Sequence, residues 1–237
     1  MHSPFLFAYI TKGLRNSTHI DLKKVTLLRK ELSRNHSKIQ VTDFGAGSRI
    51  FNSNKRVVSK IATTAGISKK RGGLLARTTK YFNPTHILEI GTSLGIATSY
   101  MALGAPKANI TTLEGCPATA QIAKENFEKL NLKNIEVKIG EFDQSLDQLH
   151  HNHAYDLIFF DGNHQKEATI RYFKKCLELA HEKSVFIFDD IHWSKGMEAA
   201  WEKIKNHEKV SMSVDTYKWG LVFFSKGREK QHFTIRI

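Results

Sequence analysis

The sequence predicts an α/β fold: a doubly wound, mainly parallel sheet with a reversed final hairpin, preceded by a helical extension. Three observations carry it. From residue 86 onward, short apolar runs alternate with amphipathic stretches, the pattern of parallel strands joined by right-handed helical crossovers. The first run, His86 to Ile90, passes directly into Gly91-Thr-Ser-Leu-Gly95. That is a strand, a tight turn and a helix, and the helix N-terminus offers unpaired N–H groups to a ligand. The last two apolar runs are joined only by Lys218-Trp219-Gly220, short enough for an antiparallel pair.

Taken in order, residues 1–38 read as helical. Phe5 to Leu14 carries one apolar face, and Leu22 to Leu32 carries the stripe Val25, Leu27, Leu28, Leu32. Residues 39–50 include Asp43-Phe-Gly-Ala-Gly-Ser48, which looks like a second glycine-rich turn. The polar, basic stretch after it supplies no strand, so the segment reads as an ordered loop or a lid. Residues 55–82 read as two helices, broken near Gly66 and again near Gly72-Gly73. Strands are expected at 86–91, 109–114, 135–139, 155–161 and 184–190, with helices near 95–103, 117–130, 143–150 and 165–181 between them. A helix at 195–207 and strands near 210–217 and 220–225 follow. The basic tail Lys226–Ile237 is a candidate edge strand. The chain is therefore expected as residues 1–82, a helical extension on the lid and substrate side that does not fold independently, and residues 83–237, the ligand-binding domain.

The 237 residues suffice for one α/β domain with an extension. The net charge of +13 reads as a solvated, lysine-rich surface, because the lysines are scattered and not gathered in a block. This speaks against nucleic acid as a partner without excluding anionic ones. Cys116 and Cys176 lack paired spacing and read as free thiols of a reducing compartment. Pro4–Ile10 is too short to span a membrane and lacks signal-peptide flanks, so the expected location is cytoplasmic.

Polar groups collect at the carboxyl ends of the strands, where open α/β sheets bind ligands. They are Glu89 in the first strand, then Glu114-Gly115, Gly140-Glu141-Phe142, Asp161-Gly-Asn-His164 and Asp189-Asp190-Ile-His192-Trp193. Glu114 lies at the distance from the glycine turn that suits an acid binding ribose hydroxyls.

Glu89-Ile-Gly-Thr-Ser-Leu-Gly95 resembles the first motif of class I S-adenosylmethionine-dependent methyltransferases. The likeness is greatest to the catechol O-methyltransferase-like branch and to bacterial relatives with an Asp-Gly-x-His motif, and it runs from about residue 70 to 225. The resemblance implies a Rossmann-like sheet of seven strands and S-adenosylmethionine as cofactor. It implies that Gly91, Thr92, Ser93 and Gly95 line the methionine part, with Glu89 beside them. Glu114 with Gly115 would hold the ribose, Gly140, Glu141 and Phe142 the adenine, and Asp161 would flank the sulfonium. In the metal-dependent branch, positions matching Asp161, Asp189 and Asp190 hold a divalent cation; carboxylates suit magnesium, calcium or manganese. This chain departs from that pattern twice. Asp190 stands for an asparagine, and His164 stands where a catalytic lysine often lies. Asp161, His164 and His192 are therefore the catalytic candidates, the histidines as bases for a substrate hydroxyl. The same histidines could admit zinc, which ranks behind the harder ions.

The expected reaction is methylation of a hydroxyl on a small molecule or glycan, with an amine ranking lower. A homodimer is left open. Trp193, Met197 and Trp201 fall at helical spacing and read first as core, with Trp193 as a second candidate wall of the acceptor pocket. Lys69-Lys70 reads as solvated surface or as an entry for an acidic acceptor. Gly91-x-Ser93-x-Gly95 also matches the nucleophile elbow of α/β-hydrolases, with Ser93, Asp161 and His192 in an allowed order. That reading conflicts with the helical region before the turn and leaves Glu114 and Glu141 without a role. The turn lacks the Gly-x-Gly-x-x-Gly spacing of nicotinamide sites. A non-catalytic binding module of the same fold is the remaining alternative.

Overall fold

Chain order sets out the elements of a computed structural model, which describes residues 3–15, 20–42, 55–149, 153–227 and 229–236. Helix α1 (Pro4–Ala8) starts at the Ser3 cap, whose hydroxyl accepts from the Leu6 N–H, and continues as a π-helical turn, Tyr9–Leu14. Helix α2 (Lys23–Leu32) buries Val25, Leu28 and Leu32, while Leu27 stays exposed. Strands β1 (Lys38–Gln40) and β2 (Lys55–Val57) pair antiparallel, so the region read as loop carries a small ribbon. The Asp43–Ser48 turn lies outside the described residues.

Helices α3 (Val58–Thr64) and α4 (Lys69–Phe82) part around Gly66, as expected, but α4 runs unbroken through Gly72-Gly73. The physical reason is packing. A Cβ on Gly72 would lie 2.2 Å from the Tyr100 ring, so the missing side chain lets α4 close onto its neighbour. Glycine's local tendency to break helices gives way to that contact.

The sheet then builds up from β3 (His86–Ile90), α5 (Ile96–Gly104), β4 (Asn109–Glu114), α6 (Pro117–Lys129), β5 (Ile135–Ile139), α7 (Phe142–Asp147), β6 (Leu157–Phe160), α8 (Lys166–Cys176), β7 (Val185–Asp189), α9 (Lys195–Lys205), β8 (Met212–Asp215), β9 (Trp219–Phe223) and β10 (Gln231–Thr234). The strand order is β10-β8-β9-β7-β6-β3-β4-β5. The run β7-β6-β3-β4-β5 is parallel, and β9 inserts antiparallel between β7 and β8. This is the reversed hairpin the short link predicts. The sheet has eight strands and not seven, because the basic tail adds β10 parallel to β8, with the Ser213 hydroxyl 2.7 Å from His232 Nδ1.

Both faces of the sheet are covered, which is why the central strands read as continuous apolar runs; Leu157–Phe160 and Val185–Asp189 are buried throughout. On one face Ile87, Phe159 and Ile187 share a core with Leu6, Tyr9, Val25, Leu28 and Tyr100. The N-terminal helices are thus part of the domain's own core. On the other face Leu88, Ile158 and Phe186 pack with Phe173, Trp201 and Ile204. Met197 and Trp201 are core, but Trp193 is 49% exposed. It precedes α9, so the helical spacing that suggested burial does not apply to it.

Candidate active site

The strand order reverses between β3 and β6. Chain leaving β3 turns toward β4, and chain leaving β6 turns toward β7. That divergence opens a crevice at the carboxyl edge, the place where such sheets bind ligands. Two groups of side chains meet across it.

The first group is built on the glycine turn. The Gly91 and Thr92 N–H groups both donate to the Leu113 carbonyl, at 3.0 and 3.1 Å. Gly91 has φ +107°, and a Cβ there would sit 2.5 Å from the Asp161 carbonyl oxygen. Only glycine lets the β3 and β6 ends approach so closely. Ser93 and Gly95 also have positive φ, at 49° and 74°, and they aim the backbone into α5. The Glu114 carboxylate clips this turn. One oxygen accepts from the Ser93 N–H at 2.7 Å and the other from the Cys116 N–H at 2.9 Å. Beneath lies Glu89, which is fully buried. Its Oε2 accepts from the Thr98 hydroxyl and, at 2.6 Å, from Thr112; the Thr112 hydroxyl also lies 2.6 Å from that of Thr92. Burial pushes the Glu89 carboxyl up to about 8, against the two threonine bonds and with the help of the Asp161 and Glu114 charges. Its Oε1 has no hydrogen-bond partner.

Gly140, Glu141 and Phe142 follow β5. The Gly140 N–H donates to the Glu114 carbonyl at 3.0 Å. Phe142 stands edge-on to Tyr172 with centroids 5.8 Å apart, and its ring covers Gly162, where a Cβ would come within 2.6 Å. Glu141 is exposed and 3.4 Å from Gln144 Nε2.

The second group is acidic and centred on one cation. Asp161 at the end of β6 has its carboxyl pushed up to about 7 by burial, opposed by Arg71 and reinforced by Asp190. His164 Nε2 lies 3.8 Å from the Asp161 carboxylate, and burial holds the imidazole below its usual range. Asp189 and Asp190 follow at the end of β7, with Asp190 at φ +50°. Arg71, in the first turn of α4, ion-pairs with Asp189 and reaches Asp190 at 3.7 Å. Its guanidinium lies 5.8 Å from the centroid of the buried Trp219 ring. One shallow cleft is lined by Gly66, Ile67, Thr92, Ser93, Ile96 and Asp161 among others. Another is lined by Gly162, His164, Tyr172, Asp189 and Met197 among others.

His192 joins neither group. Its Nε2 lies 2.9 Å from Asp215 and its Nδ1 3.3 Å from Glu198, and the ring stacks on Tyr217. Both ring nitrogens face carboxylates, so the Ser93–Asp161–His192 triad of a hydrolase is not assembled. Of the three carboxylates expected to hold a divalent cation, Asp189 offers one oxygen to Arg71 and Asp190 has one oxygen 3.7 Å from the same guanidinium. Among the described residues no three Asp, Glu, His or Cys side chains are grouped as metal ligands. Arg71 escapes sequence reasoning, since beside Lys69-Lys70 it looks like one more surface cation. The signal it carries is the glycine next to it, a mark of close packing.

The comparisons agree with this architecture. The family model described as O-methyltransferase matches residues 49–216. A catechol O-methyltransferase of Mycobacterium tuberculosis is 29% identical over 127 residues, 53% of this chain and 56% of that protein. One of Niastella koreensis is 29% identical over 129 residues, 53% and 58% of the two chains. The match thus spans a little over half the length of these curated relatives. The SAH-bound methyltransferase PaMTH1 of Podospora anserina superposes with a TM-score of 0.68 at 17% identity, covering 95% of this chain and 98% of the other. An O-methyltransferase of Bacillus cereus in complex with SAH gives 0.62 at 22% identity, covering 93% and 96%. No helix among the described residues is long and apolar enough to cross a membrane.

Proposed function

Because the chain belongs to the O-methyltransferase family, we propose that it transfers a methyl group from S-adenosylmethionine to a hydroxyl oxygen of a small molecule or glycan. The observation that carries this reading is the meeting of the Gly91–Gly95 turn, Glu114 and Asp161 at one edge of the sheet. Each matches a chemical need of that cofactor. A carboxylate oriented by two backbone N–H groups is the rigid acceptor a ribose diol requires. The Phe142 ring, packed over Gly162 at the same strand ends, suits a flat base. A half-buried aspartate suits a sulfonium, whose positive charge would favour the ionised carboxylate.

The cofactor supplies a methyl on a cationic sulfur that departs with the bonding pair. The rest falls to this chain. The turn and Glu114 hold the nucleotide so that the acceptor oxygen approaches in line, and positioning of this kind accounts for much of such catalysis. His164 is the base. Burial holds its imidazole below the usual range, which favours the neutral ring that takes the proton from the acceptor hydroxyl as oxygen bonds to carbon. His192 is not, because both its nitrogens face carboxylates.

Titration calorimetry with S-adenosylmethionine and S-adenosylhomocysteine (SAH) tests the reading. Both bind the wild type, and Glu114→Gln weakens them by roughly 10–100-fold, the worth of charge-assisted hydrogen bonds. No heat from the wild type at high micromolar ligand, or an unchanged affinity in Glu114→Gln, overturns it.

A further inference from the structure

We propose that Arg71 is the resident cation of this crevice: it neutralises Asp189 and Asp190 and presents its guanidinium to the acceptor oxygen, so no divalent ion is bound there. The inference rests on the methyltransferase reading above and adds the residue that meets the acceptor.

Four observations converge on Arg71. It makes ion pairs with both carboxylates at the end of β7, whose positions the resemblance assigns to a metal. A divalent ion would have to displace a guanidinium that stays charged at every accessible pH and pairs with carboxylates through a planar fork. Second, the residue is fixed from behind. Gly72 packs against Tyr100 and Trp219 lies beneath the guanidinium, so the side chain is held against the strand end. Third, its charge is placed against the helix field. The first turn of α4 carries Lys69, Lys70 and Arg71 with no acid, although a helix N-terminus disfavours cations. The Asp189–Asp190 pair supplies the compensation that α4 lacks. Fourth, the Arg71 side chain is 23% exposed although its Nε and Nη2 are buried. An oxygen of the substrate reaches the guanidinium through that exposed part. As that oxygen loses its proton to His164, a fixed positive charge beside it stabilises the developing anion, the part a metal plays in other enzymes.

The test is manganese binding followed by electron paramagnetic resonance, on wild type, Arg71→Met and Arg71→Lys, with SAH calorimetry on the same samples. Wild type and Arg71→Lys leave Mn(II) free at about 100 μM, whereas Arg71→Met, with its carboxylates unneutralised, binds it at least ~10-fold more tightly. SAH affinity changes less than about threefold across the series. If Arg71→Met does not fold, Arg71→Gln takes its place. Stoichiometric Mn(II) on the wild type overturns the assignment, and so does an arginine-free variant that gains no Mn(II). Either result with SAH still bound leaves the methyltransferase reading standing. Loss of SAH binding in the wild type itself defeats that reading, and this inference with it.

Discussion

Replacing Gly72 by alanine sets a local rule against a tertiary one. Both Gly72 and Gly73 lie inside α4, where glycine costs about 1 kcal/mol relative to alanine. From helix propensity alone, Gly72→Ala and Gly73→Ala should each stabilise the protein by that amount. The structure separates them. A Cβ at Gly73 would have Arg77 Nη1 at 3.6 Å and Leu22 Cδ1 at 3.9 Å, ordinary contacts. A Cβ at Gly72 would lie 2.2–2.5 Å from three atoms of the Tyr100 ring. That ring is fully buried and has no space to retreat into. Overpacking of this kind costs about 1–3 kcal/mol, which equals or exceeds the propensity gain. Gly73→Ala is therefore expected to be stabilised by about 1 kcal/mol, and Gly72→Ala to be neutral or destabilised by up to about 2 kcal/mol. In a chain of this length the two variants should melt roughly 2–12 °C apart. Differential scanning calorimetry on both proteins reads the difference. A Gly72→Ala protein melting as high as Gly73→Ala would refute the close approach of α4 to α5, and with it the account of how Arg71 is held.

Three further outcomes follow from the same geometry. Gly91→Ala forces a Cβ onto the Asp161 carbonyl at φ +107°; strain of about 1–3 kcal/mol should appear as a lower urea midpoint together with weaker SAH binding, and an unchanged midpoint contradicts it. The Glu89 carboxyl, raised to about 8 in the fold from an ordinary 4.5, binds more protons folded than unfolded between those values, so ligand-free stability falls as pH rises from about 4.5 to 8, by up to about 1.4 kcal/mol per pH unit. Glu89→Gln, which mimics the neutral acid, should flatten that decline in urea titrations at several pH values, and an equal slope in both proteins rules the burial account out. His164→Ala should lower turnover of a methylated acceptor by about 10²–10⁴-fold with little change in SAH affinity, whereas His192→Ala should lower it less than about tenfold; the reverse ranking in a labelled-methyl assay assigns the base to His192.

Much of the fold was legible because its signals are local. The strands fall within two or three residues of their expected bounds, since apolar runs and the turns that end them are neighbours in the chain. The Gly91–Gly95 turn and Glu114 could be paired in advance, because adjacent parallel strands carry both to one edge. Trp193 fails on a local helix boundary; the other failures are matters of distance along the chain. The β1–β2 ribbon depends on pairing Lys38–Gln40 with Lys55–Val57 across a long intervening segment. His192 meets Asp215 only because β8 returns beside it through the hairpin.

The sequence by itself determined the order of strands and helices, the backbone bend at Gly91 and the set of acids at the strand ends, all consequences of period, sterics and turn chemistry over a few residues. Only the tertiary structure decided which cation those acids would meet. Arg71 and Asp189 are far apart in the chain and indistinguishable from surface charges when read singly. They face each other because a side-chain-free position on α4 lets it settle against Tyr100, and close packing of that kind is written in no local pattern.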